Sequence, residues 1–446
     1  MPQHPGVPKV LFASIAALSF ALCAPAWGES LLQVYRDALA NDPTYAAARL
    51  QFQANEEKVP QARAGLLPNV ALTGSWTRVN YDALYPAPID SVTGEYTNRV
   101  YSLSLSQPLF RWQNWVGYQQ SQLGLVASEA QFVQSKQDLI LRVAQAYFDV
   151  LGAQDSLDFT RAQKTAIAEQ LASAKRNFEV GTATITDTNE AQARFDLATA
   201  QEIASVSDLE IKQTALLQIV GKPVPALTPL GPNAKLPAPQ PIGIDTWVSS
   251  AEKDNIGVRV AQVSAEIAKR EISKARGGHY PTVDLVASRN KTYSPTSGSA
   301  DQVTSTQAGI QVSIPLFAGL ATQSRVRETL ALDEQAQQNL EAAKRSAAQS
   351  ARSAYLGVTN GLAQVRALEA AEVSSKTALE ANQLGYRVGV RVNIDVLNAQ
   401  QQLFQTRRDL SKARYDTLVG GLKLKSAVGV LDEPDVLAID GLLVQP

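Results

Sequence analysis

Two short stretches, 208 positions apart, constrain how this chain can fold. Residues 178–195 read FEVGTATITDTNEAQARF and residues 386–403 read YRVGVRVNIDVLNAQQQL, so Gly181 matches Gly389, Asp187 matches Asp395 and Gln192 matches Gln400 at one constant offset. Each glycine stands where a helix is expected to end, at a position that favours positive φ, which glycine adopts without steric cost. Each aspartate would follow in the first turn of a returning helix, where its charge complements the dipole, and Asn393 is the expected N-cap of the second. The correspondence runs further: Tyr147 matches Tyr355 at the same offset, Pro108 matches Pro315 at 207, and ARAGLLP (62–68) matches ARGGHYP (275–281) at 213. A duplication predicts two similar halves. These are residues 29–220 and 244–430, joined by a Pro-rich linker at 221–243 and followed by a terminal segment at 431–446. The first copy has the longer loop between Pro68 and Pro108.

The segments leading into the two turns set the dimensions. From about Trp112 to Val180, and from about Leu320 to Val388, there is no proline and only scattered glycine. At ~1.5 Å per residue each run spans roughly 100 Å as a helix, longer than a compact domain accommodates. Leu340, Ala343, Ala347, Ala351, Ala354, Val358, Leu362, Val365 and Leu368 recur at spacings of three and four, a coiled-coil type of seam. Aromatic residues make up 7% of the chain and the one methionine is the initiator, which fits an extended helical scaffold better than an aromatic-rich core. The returning helices, about 184–220 and 393–428, cover only part of each long one. Residues 31–64 and 244–277 must cover the rest, the first broken at Asn41-Asp42-Pro43 with Asp42 capping and Pro43 at the first helical position.

Between these helices the period changes from 3.6 to 2. Val70, Leu72 and Trp76 alternate with Ala71, Thr73 and Ser75, and Tyr101, Leu103 and Leu105 alternate with Ser102, Ser104 and Ser106. The second half repeats this with Val283, Leu285 and Ala287, then Ile310, Val312 and Ile314. Such alternation marks strands with one face toward lipid and the other toward water, and about ten residues cross a bilayer at a tilt. The strand pairs are expected at about 69–107 and 282–314, with Pro108 and Pro315 ending them and exposed loops at 82–98 and 290–306. Soluble hairpins packed on a helix are the alternative for either pair alone. In hydrocarbon, edge strands cannot stay unpaired, and four strands cannot close a barrel, so the chain must assemble.

The N-terminus explains how such strands reach a membrane. Lys9 precedes an apolar run too short to span a bilayer, and Ala26-Trp27-Gly28 supplies small residues at the cleavage positions, so residues 1–28 read as a signal peptide. Leu22 is bulky where a lipid-attachment motif around Cys23 would need a small residue. No cysteine follows Cys23, and His279 is the remaining histidine beyond the signal peptide. With formal net charge −1 and no basic patch interleaved with aromatics, nucleic-acid binding has no support. No GxSxG, no Walker-type GxxxxGK[ST] and no carboxylate–histidine cluster is present, so neither enzyme chemistry nor a cofactor or metal is expected.

The signal peptide, the doubled order of helix, strand pair and long hairpin, and the turn YxVGxRxxxDVLxAQQxL together resemble the TolC family of outer-membrane efflux and type I secretion channels. The resemblance covers nearly the whole mature chain. It implies a mixed, predominantly α fold: a long-helix α-barrel continued from a transmembrane β-barrel, four strands per protomer and twelve in a homotrimer. It implies passive conduction across the outer membrane in contact with its lipid. The implied partners are a periplasmic adaptor and an inner-membrane transporter of the RND, ABC or MFS type. It further implies an iris at the periplasmic end, with Tyr386 and Arg391 as a latch tied to Gln170, Thr186 and Asp187. Asp395 would form the constriction ring, and Asn398 stands where the pattern has a second aspartate. A secreted coiled-coil adhesin and a specific porin remain as other classes; the first would be soluble, the second would have hardly any long helix.

Overall fold

Asp42 and Pro43 interrupt the first helical stretch as their chemistry dictates. The computed structural model describes residues 28–86, 91–224, 226–232, 234–294 and 301–444; residues 1–27, and with them Cys23 and nearly all of the expected signal peptide, lie outside these. Helix α1 (Leu31–Asn41) gives way to α2 (Pro43–Glu56), whose first turn is capped by Asp42, its carboxylate accepting from the Tyr45 amide at 2.6 Å. A further break, not anticipated, separates α2 from α3 (Lys58–Ala64). Pro60 has no N–H to offer the Glu56 carbonyl and its ring crowds it, so the helix stops at Glu56. Strands β1 (Asn69–Ala83) and β2 (Val92–Phe110) follow, then the 68-residue helix α4 (Trp112–Glu179) and its return α5 (Ile185–Val220). The second half runs in the same order: α6 (Ile244–Asp254), α7 (Ile256–Arg276), β3 (Thr282–Tyr293), β4 (Gln302–Ser313), the 67-residue α8 (Ala321–Arg387) and α9 (Asn393–Ala427). A short α10 (Glu433–Asp440) ends the described chain.

The four strands form one antiparallel sheet in the order β1-β2-β3-β4, so the halves meet at the β2–β3 pairing. The strands are longer than the expected ten residues, and most of 82–98 and of the described part of 290–306 is strand rather than loop. Pairing runs from Asn69↔Ser106 to Ala83↔Val92 and from Thr282↔Ser313 to Tyr293↔Gln302. The reason is that a hairpin ladder is held by backbone hydrogen bonds and continues where side chains turn polar. Pro108 does not end β2; the strand passes it and closes on Phe110 through an irregularity in register, with Pro108 opposite Asp284. There Arg111, just before α4, holds Asp284 with two hydrogen bonds of 2.8 Å, fastening the first long helix to the second half's sheet.

The main core lies midway along the helices. Leu31, Val34 and Tyr35 of α1, Leu139, Val143, Tyr147 and Phe148 of α4, Leu216 and Val220 of α5, Leu418 and Leu422 of α9 and Val436 and Ile439 of α10 meet there. The linker wraps this level, bridging Glu29 to Leu227 and Leu230 to Leu443. The Tyr147 hydroxyl lies 2.8 Å from the Thr228 carbonyl, and its duplicate Tyr355 accepts from the Gly243 amide at 3.3 Å. On α8, Ala347, Ala351, Val358 and Val365 of the expected seam are buried. The breaks in the upper helices abut the ends of the returning ones. Asn255 caps α7 through the Val258 amide and donates its side-chain amide to the Ala427 carbonyl at 2.9 Å, while Gly221, at φ +74°, brings the end of α5 against Asn41. Among the described residues no helix is long and apolar enough to cross a membrane.

Candidate functional site

The two turns at the ends of α4 and α8 are built alike. Gly181 and Gly389 have φ of +78° and +82°, the left-handed conformation that favours glycine. In the first, Val180 N–H donates to the Arg176 carbonyl (3.1 Å) and Thr182 N–H to the Asn177 carbonyl (2.8 Å). In the second, Val388 donates to Leu384 (3.1 Å) and Val390 to Gly385 (2.9 Å), position for position.

They diverge where the returning helix starts. Thr184 and Asp187 form a capping box, the Thr184 hydroxyl accepting from the Asp187 amide at 3.2 Å and the Asp187 carboxylate from the Thr184 amide at 3.0 Å. The duplicate position holds Val392, which has no side chain to cap with. Asn393, the expected N-cap, is instead the first residue of α9, because its amide is taken by the other hairpin. Asp395 is thereby free of capping and sits 3.6 Å from the Arg391 guanidinium. The stem of Arg391 lies on Gly385, where a Cβ would come within 2.6 Å of its Cγ and would push the Arg391 side chain off the turn.

The hairpins touch through side-chain amides. Gln170 Nε2 donates to Asn393 Oδ1, and Asn393 Nδ2 donates to the Asp187 carbonyl at 3.3 Å. Asn177 Nδ2 donates to the Tyr386 hydroxyl at 3.3 Å. Arg194 spans to α9, reaching Asn398 Oδ1 at 3.0 Å and Gln401 Oε1 at 2.5 Å. Of the residues expected in the latch, Gln170 and Asp187 do join the hairpins, but through Asn393, and Asp187 contributes its carbonyl while its carboxylate closes the capping box. Tyr386 bonds Asn177, and Arg391 pairs with Asp395 within its own hairpin. Thr186 is exposed and makes no side-chain hydrogen bond among the described residues. Asn177, Arg194, Gln401 and Gly385 were not anticipated; the 208-residue offset pairs Asn177 with Gly385 and could have drawn attention to both. The tips are bare of apolar cover, with Val180 73% and Val390 76% exposed. Among the described residues no group of three His, Cys, Asp or Glu side chains is placed to hold a metal.

Comparison with known proteins places this architecture. The family model described as outer membrane efflux protein matches residues 34–222 and 247–430. The chain belongs to this family. It is 32% identical to the outer membrane protein TolC of Vibrio cholerae, covering 97% of this chain and 98% of that one. It is 33% identical to the alkaline protease secretion protein AprF of Pseudomonas aeruginosa, covering 92% and 86%. The Campylobacter jejuni CmeC outer membrane channel shares the fold at a TM-score of 0.78 and 16% identity, over 99% of this chain and 98% of that one. The protein is thus an outer membrane channel of efflux or type I secretion, a predominantly helical body extending into the periplasm from a sheet in the outer membrane. This outer membrane channel carries its helix turns at the end farthest from the sheet.

Proposed function

We propose that three copies of this outer membrane efflux channel pool their sheets into a twelve-stranded barrel and their helices into a tube closed at the periplasmic tip. The observation that carries this reading is the open four-stranded sheet, with β1 and β4 each paired on one side. In hydrocarbon both free edges must find partners, and a closed ring is the arrangement that satisfies every backbone group. Twelve strands enclose a lumen too wide for side chains to fill. Conduction is passive and needs no catalytic group of the channel itself. The energy and the choice of cargo come from an inner-membrane transporter, reached through a periplasmic adaptor, and the exposed valines of both tips support a protein contact there. The contacts between the hairpins hold the iris shut, with Asp395 lining it. The test is the mass and conductance of the purified protein in detergent. A trimer forming discrete channels in planar bilayers is expected; a water-soluble monomer without conductance overturns the reading.

A further inference from the structure

The outward row of the sheet changes character toward its hairpin end, on β3 and β4 just past Ala287 and Ala308 and on β2 two outward rungs later. On β3 it runs Val283, Leu285, Ala287 and then Arg289, Lys291, Tyr293; on β2 it runs Leu105, Leu103, Tyr101 and then Arg99; on β4 it runs Val312, Ile310, Ala308 and then Thr306, Thr304, Gln302. Register places Arg289 opposite Leu103, Lys291 opposite Tyr101, and Arg99 opposite Tyr293, so the three cations share one face, Lys291 lying diagonal to Arg99 and two residues along β3 from Arg289. Trp76, Tyr101 and Tyr293 lie among them, the two tyrosine rings 6.4 Å apart edge to face and Lys291 Nζ 5.0 Å from the Tyr293 ring centre. The nearby outward carboxylate, Glu95, is already paired with Arg78. Arg99 and Arg289 are exposed and have no carboxylate partner among the described residues. The opposite face carries Ser102, Ser104, Ser288 and Asn290, so the charge is set on the lipid side and not in the lumen.

We propose that Arg99, Arg289 and Lys291 form a docking girdle for the phosphate groups of outer-leaflet glycolipid. The cost of a cation on the lipid face falls away only near the interface, which fixes this row at headgroup depth, just beyond the apolar band. α4 and α8 leave the sheet at its other end, so this end faces the cell exterior, where the membrane carries its phosphate on glycolipid. Arginine forks match phosphate oxygens bidentately, and the flanking aromatic rings hold the amphipathic boundary. Two adjacent strands from opposite halves supply the patch, which repeats with each copy of the chain.

Titration of the purified full-length channel with diphosphorylated lipid A, read by native mass spectrometry, tests this. Arg99→Gln, Arg289→Gln and Lys291→Gln should each weaken binding about fivefold, and the triple variant about 100-fold, with conductance unchanged because the residues lie outside the lumen. Arg99→Lys with Arg289→Lys should retain binding within a few fold. Dephosphorylated lipid A and phosphatidylglycerol should bind the wild type weakly. Undiminished binding by the triple variant, or equal binding of dephosphorylated lipid A or of phosphatidylglycerol, overturns the proposal. Should the triple variant not yield folded channel, Arg289→Gln alone decides, and full binding by it is equally fatal.

Discussion

Asn393→Ala is the most direct perturbation of the contact between the hairpins. The side chain is 1% exposed and uses both ends of its amide, accepting from Gln170 and donating to the Asp187 carbonyl. A neutral hydrogen bond is worth a net ~0.5–1.5 kcal/mol, and the lower end applies because Gln170 and Asp187 are only half-buried and water can replace the lost partner. Two such bonds give about 1 kcal/mol per protomer, present when the hairpins touch and lost when they part. Over the three protomers of the proposed trimer the proposed closed state loses about 3 kcal/mol, about two decades in the ratio of open to closed. Single-channel recording in planar bilayers measures this as open probability, with trimer integrity checked by heat-resistant electrophoretic mobility. Gln170→Ala, which removes one of the two bonds, should give roughly half the free-energy effect. An intact Asn393→Ala trimer with wild-type open probability would refute the idea that this amide holds the tip closed.

Three further outcomes are expected. Tyr386→Phe with Arg391→Ser removes the acceptor for Asn177 and uncovers Gly385, and should raise single-channel conductance; unchanged conductance takes both residues out of the gate. Asp395→Ala should weaken block by multivalent cations and Asn398→Asp should strengthen it, since a ring of carboxylates concentrates cations; equal block in all three proteins ends the assignment. Burial alone would raise the Asp42 carboxyl, but hydrogen bonds from Arg142 and the Tyr45 amide carry it below its ordinary 3.8. A depressed carboxyl contributes stability above 3.8 that is lost as pH falls through the folded value. Arg142→Ala should therefore lower the melting temperature at neutral pH, by about 2 kcal/mol in stability given the partial exposure of Arg142. The variant should also lose part of the wild type's acid sensitivity below pH 4; parallel melting curves across pH would contradict this.

The features legible in the sequence were those set by local chemistry or by repetition. Asp42-Pro43 announced a cap, Gly181 and Gly389 announced turns, and the seam from Leu340 to Leu368 announced the buried face of α8. What escaped was settled by contacts far apart in the chain. Asn393 follows the local rule for an N-cap, yet Gln170, 223 residues away, claims its amide and leaves Val392 at the cap. The strand ends are not legible because composition between Thr77 and Asn98 is turn-like, while pairing is held there by the ladder, the Arg78–Glu95 contact and the Tyr81–Tyr96 ring pair at 5.9 Å. Arg111 and Asp284 give no signal singly; the β2–β3 junction that unites them exists only once both halves are folded.

The stacking of short helices on long ones has a mechanical consequence. Where α5 meets α1 and α9 meets α6 and α7, the outer layer is jointed, held by side-chain contacts such as the single Asn255 amide rather than by continuous backbone. In each half only α4 or α8 carries unbroken helix through that level, so flexural rigidity drops to two rods per protomer while the linker and α10 bind them from outside like a hoop. In the proposed tube, the segment beyond the hoop is the part free to splay or twist on opening, with the hoop as its fulcrum and the membrane-embedded end left unstrained.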